Sequence, residues 1–393
     1  MTDHHREGAP RAAKEDRHEH EDVRQMHAAM IGIVHDDDVA LMQIALEFRQ
    51  HRRHRLGDRA EMLGDGLGLR HHETNAQVAV ESDANTNYSL SEIKPGTYSA
   101  APLNLDNSHK YRLRIKTTDG KEYLSDFLAV KNTPPIDSVG FKAQTDGVHI
   151  YVNAHDDASA TRYYRWEYSE DWEFHSWYES FWTGYRPRTK EEYRYNCYAS
   201  DTTAAIIVAN STKLTKDVIY QAPIAAIPSY SEKIETKYSI LVKQYSLTAD
   251  AYNFWANLQK NTGRLGSIFD AQPSANETNY HCISNPNELV VGYLSVGNVT
   301  TKRVFINVNQ LLSTYSPKDI NGCKIDTGYY YHEPYYFPPT VDLSNPNLGF
   351  TTIDGHYIAP LAPLGGPNFI TYTTTVCDDC TLRGKLTPPP FWR

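Results

Sequence analysis

The side chains that can build a large core are confined to one part of this chain. All 28 tyrosines, all six tryptophans and all five cysteines lie after residue 75, whereas residues 1–74 hold a single aromatic residue, Phe48. Aromatic side chains bury more apolar area than most others, so the main core must lie after residue 75. A chain of 393 residues has room for two or three domains. The two parts therefore differ in what they can fold into.

Charge and hydropathy exclude two classes of partner. The net charge is −9, and neither part of the chain has the basic excess through which proteins bind nucleic acid. We therefore expect no nucleic-acid partner. The sequence also lacks any run of about 18 uninterrupted apolar residues, which a membrane-spanning helix needs. No membrane-spanning helix is predicted.

Residues 1–74 are predicted to be helix and coil. Val39 to Met62 carries an imperfect helical stripe, interrupted by basic residues 51–55. Clusters of His, Asp and Glu near His18 and near His35 suggest metal ligands, but a solvated, poorly folded segment is favoured because no scaffold fixes them. The excess of Arg, His, Ala and Asp is typical of a wrong reading frame of GC-rich DNA. We expect an unintegrated or mis-joined segment that makes few contacts with residues 75–393.

After residue 75 the patterns predict β-sheet. Tyr111 to Lys116 alternates between apolar and polar residues, and Asp119-Gly120 supplies a tight turn into the next strand. These signals predict a small Ig-like or fibronectin-like β-sandwich over residues 75–132. Thr133-Pro134-Pro135 then predicts a stiff linker over residues 133–137.

Residues 138–393 are predicted to form a larger antiparallel β-rich domain with one principal helix. Asp146-Gly147 turns into an alternating strand, and Thr248 caps a helical stripe over residues 248–262. Gly297-Asn298 is interpreted as a two-residue hairpin loop between two further strands. The predicted fold class is therefore mainly β, with helix or coil only at the N-terminus and in this one helix.

No pattern of residues predicts catalysis or a cofactor. The chain has no nucleophile elbow, zinc-binding HExxH, P-loop or dinucleotide fingerprint. The acids Glu167, Glu170, Asp171 and Glu173 stand among tryptophans, as a glycosidase pair would. On a strand, however, most of them face away from the aromatic residues, which favours a solvated strand face over a catalytic pair. Asp156-Asp157 after His155 suits calcium or, more simply, a turn.

Several segments resemble the landmarks of one known family. These segments are residues 163–168, 237–247, 266–273, 282–286 and 291–293, the Cys377-Asp378-Asp379-Cys380 run, and the closing Pro390-Phe391-Trp392. Together they resemble the domain-of-unknown-function 4249 group, outer-membrane lipoproteins of Bacteroidota, over about residues 75–393. The resemblance adds no catalytic residues.

The resemblance implies a secreted, lipid-anchored protein at the cell surface, of a kind often found beside TonB-dependent outer-membrane receptors. Members of that group begin with a signal peptide and a lipid-accepting cysteine. In this chain the first residues are polar and the first cysteine is Cys197. Taken literally, that start predicts a cytoplasmic protein. Two functions stay open: a binding or accessory protein that helps a receptor to capture its ligand, and a surface hydrolase acting on glycans or peptides.

Two aromatic runs are the candidate ligand contacts. Residues 163–198 hold fourteen aromatic side chains, and their spacing becomes irregular after Trp172, as in an exposed loop. Tyr and Trp give large contact areas at modest entropic cost. The candidates are Trp177, Tyr178, Phe181, Trp182 and Tyr185 in the first run and Tyr330, His332 and Tyr335 in the second. The alternative is that both runs fill a core.

The five cysteines fit disulfide bonds of an exported protein better than a metal site. No metal and no cofactor is predicted. The candidates for pairing are Cys282, Cys323, Cys377 and Cys380, and we expect Cys377 or Cys380 to lie close to Cys282 or Cys323. The Cys377-x-x-Cys380 spacing also occurs in thioredoxin-like proteins, but the βαβ context of that fold is missing here.

Overall fold

The structure is a computed structural model. It describes residues 24–25, 30–34, 42–45, 47–49, 70–101, 103, 105–181, 187–203, 205–262, 278–288, 290–316, 323–329, 351–353, 356–363 and 369–392.

Strands dominate these residues. In chain order they are β1 (Arg24–Gln25), β2 (Met30–Val34), β3 (Met42–Ala45), β4 (Glu47–Arg49), β5 (Arg70–His72), β6 (Gln77–Ser82), β7 (Asn87–Lys94), β8 (Thr97–Ala100), β9 (Lys110–Lys116), β10 (Glu122–Ser125), β11 (Leu128–Ala129), β12 (Ile136–Gln144), β13 (Gly147–Asp156), β14 (Tyr163–His175), β15 (Asn196–Thr202), β16 (Ile207–Asn210), β17 (Asp217–Pro228), β18 (Lys237–Ser246), β19 (Tyr280–Cys282), β20 (Val290–Val291), β21 (Ser295–Asn307), β22 (Asp326–Tyr329), β23 (Thr351–Ile353), β24 (His356–Pro363) and β25 (Phe369–Thr374). The α-helices in the same residues are α1 (Ala249–Thr262) and the single turn α2 (Thr375–Asp378). Short 3₁₀ helices cover Lys190–Glu192, Glu232–Ile234, Val308–Gln310 and Cys380–Leu382. The predicted mainly-β fold is confirmed.

The described parts of residues 1–74 are strands, where the sequence predicted helix and coil. β2 pairs in parallel with the first residues of β21, and β3 pairs antiparallel with β8. Met30 to Val34 is a short apolar run without a helical period, and such a run suits a strand at least as well as a helix. Most of the helix predicted over Val39 to Met62 lies outside the described residues.

The first core lies under a sheet with the strand order β19-β10-β9-β6-β7-β8-β3, with β11 beside β9. The alternation of its strands explains this core, since Tyr111, Leu113 and Ile115 of β9 are buried between exposed or half-buried neighbours. Gly120 adopts a φ of +85° in the turn between β9 and β10, as the Asp-Gly pair predicted. Strand β19 completes this sheet from far along the chain.

The second core lies between two packed sheets. One has the order β12-β13-β17, and the other has the order β15-β14-β18-β21-β2, with β16 beside β14. Their facing side chains include Ile150 and Val152 from the first sheet and Trp166, Phe174 and Ile240 from the second. This arrangement is a β-sandwich, in which each strand turns alternate residues inward. The even-numbered aromatic residues of β14 are thus core residues.

Strand β21 runs without a break through Gly297-Asn298, so the hairpin predicted at this pair is wrong. A Cβ on Gly297 would lie 2.6 Å from the carbonyl oxygen of Lys131, so the glycine permits a close approach of the segment that leads into Thr133-Pro134-Pro135. The Asn298 side chain accepts a hydrogen bond from the backbone N–H of Thr133 at 2.7 Å. The carbonyl oxygen of Pro134 accepts one from Gln244 at 2.9 Å. The linker is therefore fixed along β21.

Helix α1 forms where the sequence predicted it. The Thr248 hydroxyl accepts a hydrogen bond from the backbone N–H of Ala251, and Asp250 stands in the first turn, where the helix dipole favours an acid. Its apolar side, which includes Phe254 and Trp255, packs in a third buried cluster with Leu247. No helix of the described residues is long and apolar enough to cross a membrane.

Candidate functional site at the disulfide-linked corner

Two disulfide bonds join three distant segments of the chain into one corner. Cys197 on β15 is bonded to Cys380, and Cys323, just before β22, is bonded to Cys377 in α2. The bonds span 183 and 54 residues of sequence. We call the residues around them, 176–181, 187–197, 323–325 and 373–385, the disulfide corner. The predicted disulfide bonding is present. The Cys323–Cys377 bond is one of the pairings expected between Cys377 or Cys380 and Cys282 or Cys323.

Cys282 forms no disulfide bond, although the sequence suggested it as a candidate. It lies buried in the first core, with its Sγ atom 3.4 Å from the hydroxyl of Ser284. Its place in the pairing is taken by Cys197, which the sequence analysis did not single out. Cys197 follows a run of aromatic residues and carried no local signal, because its partner lies at the far end of the chain.

Tyr178 is bound to both halves of one disulfide bond. Its backbone N–H donates to the carbonyl oxygen of Cys377, and its hydroxyl donates to the carbonyl oxygen of Cys323, both at 2.9 Å. Phe181, three residues on, is 44% exposed and meets Tyr193 edge to face, with 5.9 Å between ring centroids. The disulfide corner therefore presents an aromatic ring on a backbone that is anchored nearby.

The structure places only part of the candidate contacts. Trp177 is half-buried, in contrast to Phe181. The other candidates lie outside the described residues: Trp182, Tyr185, Tyr330, His332 and Tyr335. The structure thus brings Trp177, Tyr178 and Phe181 together at the disulfide corner.

A buried carboxyl lies between the two disulfide bonds. The Asp378 side chain is 3% exposed, and its Oδ1 atom has no hydrogen-bond partner in the described residues. Burial raises the pKa of Asp378 to about 7, although the nearby Arg188 and Ser180 act in the opposite direction. Burial likewise lowers the pKa of Arg188. No pattern in the sequence indicates this burial, since a carboxyl beside a cysteine is ordinarily solvated.

Both carboxylate oxygens of the neighbouring Asp379 accept hydrogen bonds. One of its oxygens accepts a hydrogen bond from Arg194 at 2.6 Å, and the other accepts one from the backbone N–H of Thr381 at 2.9 Å. Asp379 thereby caps the 3₁₀ turn Cys380–Leu382. Its role is to fix the backbone that carries Cys380.

The four acids of β14 each have a partner. Glu170 faces the core, as the alternation predicted, and binds Lys233 and the hydroxyl of Tyr238. The other three lie on the opposite face of the sheet: Glu167 binds Arg165 and the Tyr245 hydroxyl, Asp171 binds Ser200 and Arg303, and Glu173 binds Asn196. Three of the acids share one face of the sheet and Glu170 lies on the other, and each is held by a neighbouring side chain, as structural carboxylates on a strand are.

The Asp156 carboxylate is used by the turn that follows β13. It accepts hydrogen bonds from the backbone N–H groups of Ala158, Ala160 and Thr161, at 2.8–3.1 Å. These bonds occupy the oxygens that a calcium ion would need, so the turn is the better reading of this segment. In the described ranges, no three His, Cys, Asp or Glu side chains converge as a metal site would require.

Comparison with known proteins places most of these strands in a known family. Residues 61–303 match a family model described as a domain of unknown function, DUF4249. The matched range covers more than half of the chain and begins before the change of composition at residue 75. It includes the β-sandwich except β2 and the last residues of β21, and it ends ahead of Cys323, so one side of the disulfide corner lies beyond it. No curated protein matches the chain.

Proposed function

We propose that this chain, which belongs to the DUF4249 family, a domain of unknown function, is a binding or accessory protein at the outer-membrane surface. In this proposal it helps a TonB-dependent receptor to capture or retain a ligand. The contact is made by the aromatic side of the disulfide corner, around Phe181. The proposal rests on the family, on the lipoprotein character that the resemblance implies, and on the geometry of that corner.

The observation that carries the proposal is an exposed ring on a constrained backbone. Phe181 is 44% exposed, and Tyr178, three residues before it, is hydrogen-bonded to both halves of the Cys323–Cys377 disulfide. A side chain that is already ordered loses little entropy on binding, and aromatic residues with Arg are enriched at interface centres. The backbone N–H of Arg188 donates to the carbonyl oxygen of Phe181 and so fixes this backbone at a further point.

A surface hydrolase acting on glycans or peptides is the second candidate, and Asp378 is the observation in its favour. A carboxyl with a pKa near 7 can serve as a general acid, and Asp379 is the adjacent residue. Against it, both side chains are almost fully buried, and the oxygens of Asp379 are bound by Arg194 and Thr381. A substrate has no access to them, so binding is the better-supported function.

The test is co-purification of the full chain, displayed at the surface of a Bacteroidota cell, with a TonB-dependent receptor. Phe181→Ala is expected to reduce the recovered receptor severalfold, because one central aromatic contact is lost. Phe127→Ala is the matched control, since Phe127 is 38% exposed but lies in the first sheet region. Equal recovery with both variants would reject the role of the disulfide corner.

The hydrolase is tested on the same protein. Release of sugar or peptide fragments by the purified full chain, abolished by Asp378→Asn, would replace the binding function by the hydrolase. Fragment release that persists in Asp378→Asn would assign the activity to a contaminant or to another residue. Circular dichroism of each variant shows whether it retains the β-rich fold.

A further inference from the structure

The outward face of the sheet β12-β13-β17 carries a second possible site, unrelated to the disulfide corner. A shallow depression of about 200 Å³ is lined by His149, Ile150, Tyr151 and residues 223–226. From this face the geometry points to a binding platform for one ring of a neutral carbohydrate, with Tyr151 as the stacking surface. The inference does not depend on the proposed receptor contact.

The residues on both sides of Tyr151 in the sheet are small. Tyr151 pairs with Gly140 on β12 and with Pro223 on β17, and directly paired residues share a face at about 5 Å. A Cβ placed on Gly140 meets no described atom within 4 Å, so the space beside the ring is open. Ala225 and Ala226, whose side chains are also small, line the depression beyond Pro223. The depression exists because these neighbours are small.

An irregularity in β17 shapes the same place. The register between β13 and β17 shifts between Ile150 and Tyr151, and again between Val152 and Ala154. Gln221, beside the second shift, adopts a φ of +49°, and its backbone N–H donates to the Asn153 side chain at 2.7 Å. Bulges of this kind turn side chains toward a site and are over-represented at functional positions.

A cation stands over one face of the Tyr151 ring and is hydrogen-bonded to further polar groups. Lys142 donates from Nζ to the Gln221 side chain at 2.8 Å, and this Nζ atom lies 5.3 Å from the Tyr151 ring centroid. Gln221 in turn donates to the hydroxyl of Tyr220, which is 76% exposed. Lys142 uses one of its three N–H groups in this chain, and the Tyr220 hydroxyl keeps its own proton to donate.

This combination selects the ligand class. A pyranose has one flat face of C–H groups, which packs on an aromatic ring, and a rim of hydroxyls that both donate and accept. The depression is smaller than the roughly 300–1,000 Å³ of ordinary small-molecule sites, so it holds one ring and not an extended ligand. Lys142 is the cation beside the ring and is already bound to Gln221, so a neutral ligand fits better than an anion.

The experiment is saturation-transfer difference NMR on the full chain with glucose, galactose and N-acetylglucosamine as probes. We expect transfer to at least one sugar at on the order of 10 mM, strongest at the protons of one ring face, as weak single-ring binding implies. Tyr151→Ala is expected to weaken binding roughly tenfold by removing the stacking surface. Sodium sulfate is expected not to compete.

Gly140→Val keeps the test decisive if Tyr151→Ala fails to fold. Valine favours strands and its side chain enters open space, so this variant retains the fold while it covers the ring. Phe127→Ala, an exposed ring outside this face, is expected to leave the signal unchanged. Absence of transfer to all three sugars, an unchanged signal in Gly140→Val, or displacement by sulfate each overturns the proposal.

Discussion

The buried carboxyl of Asp378 has a measurable effect on how stability depends on pH. Its pKa rises from 3.8 to about 7 because burial disfavours the charged form. Between these two values the folded protein keeps a proton that the unfolded chain releases. The free energy of unfolding therefore falls as pH rises from about 4 to 7, and the loss is complete above the folded pKa. Asp378→Asn removes this dependence.

The magnitude follows from the size of the shift. A rise of about three pKa units, at 1.36 kcal/mol for each, corresponds to up to about 4 kcal/mol. At pH 4 Asp378 is protonated in the folded parent. The free energies of unfolding of the variant and the parent then differ only by the effect of the substitution itself, a constant that does not depend on pH. At pH 8 the variant is expected to have gained up to about 4 kcal/mol relative to that constant.

Urea unfolding of both proteins at half-unit steps between pH 4 and 8 measures this difference. Asp106→Asn serves as a flat control, because the backbone N–H of Ser108 lowers the pKa of Asp106 from its ordinary value of 3.8. The stability that Asp106 contributes is therefore fully present above about pH 4 and is lost only at lower pH, so this variant and the parent are expected to differ by the same amount at every pH measured. A difference between Asp378→Asn and the parent that is flat over the whole range would refute the argument.

Three further results are expected. Replacing Cys197 and Cys380 together by Ser should lower the free energy of unfolding by about 2–5 kcal/mol, since their bond closes a 183-residue loop; urea unfolding measures this, and an unchanged midpoint would contradict it. Thiol titration of the unfolded, unreduced protein should find one thiol, from Cys282, and a count of three or five would exclude the pairing. Gly297→Ala should destabilise by about 1–3 kcal/mol, because the new Cβ meets the Lys131 carbonyl oxygen; a variant with the parent's thermal midpoint would disprove that contact.

Features with a local cause were predictable from the sequence. The cap at Thr248 and the spacing of Phe254 and Trp255 define α1 within one stretch of chain. The turn at Asp119-Gly120 and the alternation of Glu170 into the core likewise depend on near neighbours. Each of these needs only backbone preference and a period of two or 3.6 residues.

Features that depend on contacts between distant segments of the chain were not predictable from the sequence. Gly297-Asn298 has the composition of a hairpin loop, but its reason is the linker at Lys131, which the chain left more than 160 residues earlier. Cys197 is chosen as a disulfide partner by position in space and not by spacing. The high pKa of Asp378 arises from burial among segments that meet only in the folded state. Hydrophobic periodicity and turn motifs carry no information on contacts between segments that are distant in the sequence.

The dependence of the first core on β19 has a consequence for the biogenesis of the protein. The hydroxyl of Tyr123 on β10 donates to Glu288, which is 165 residues further along, and Tyr280, Leu294 and Val296 fill the same core. A chain that leaves the ribosome or a translocation channel N-terminus first cannot close this unit until about residue 296 has emerged. The neighbouring strands β6-β7 and β9-β10 can pair locally, but loop closure over the longer separation is slow, so β10 gains its partner β19 late. Until then the apolar side chains of this core stay exposed, and the early strands are open to aggregation.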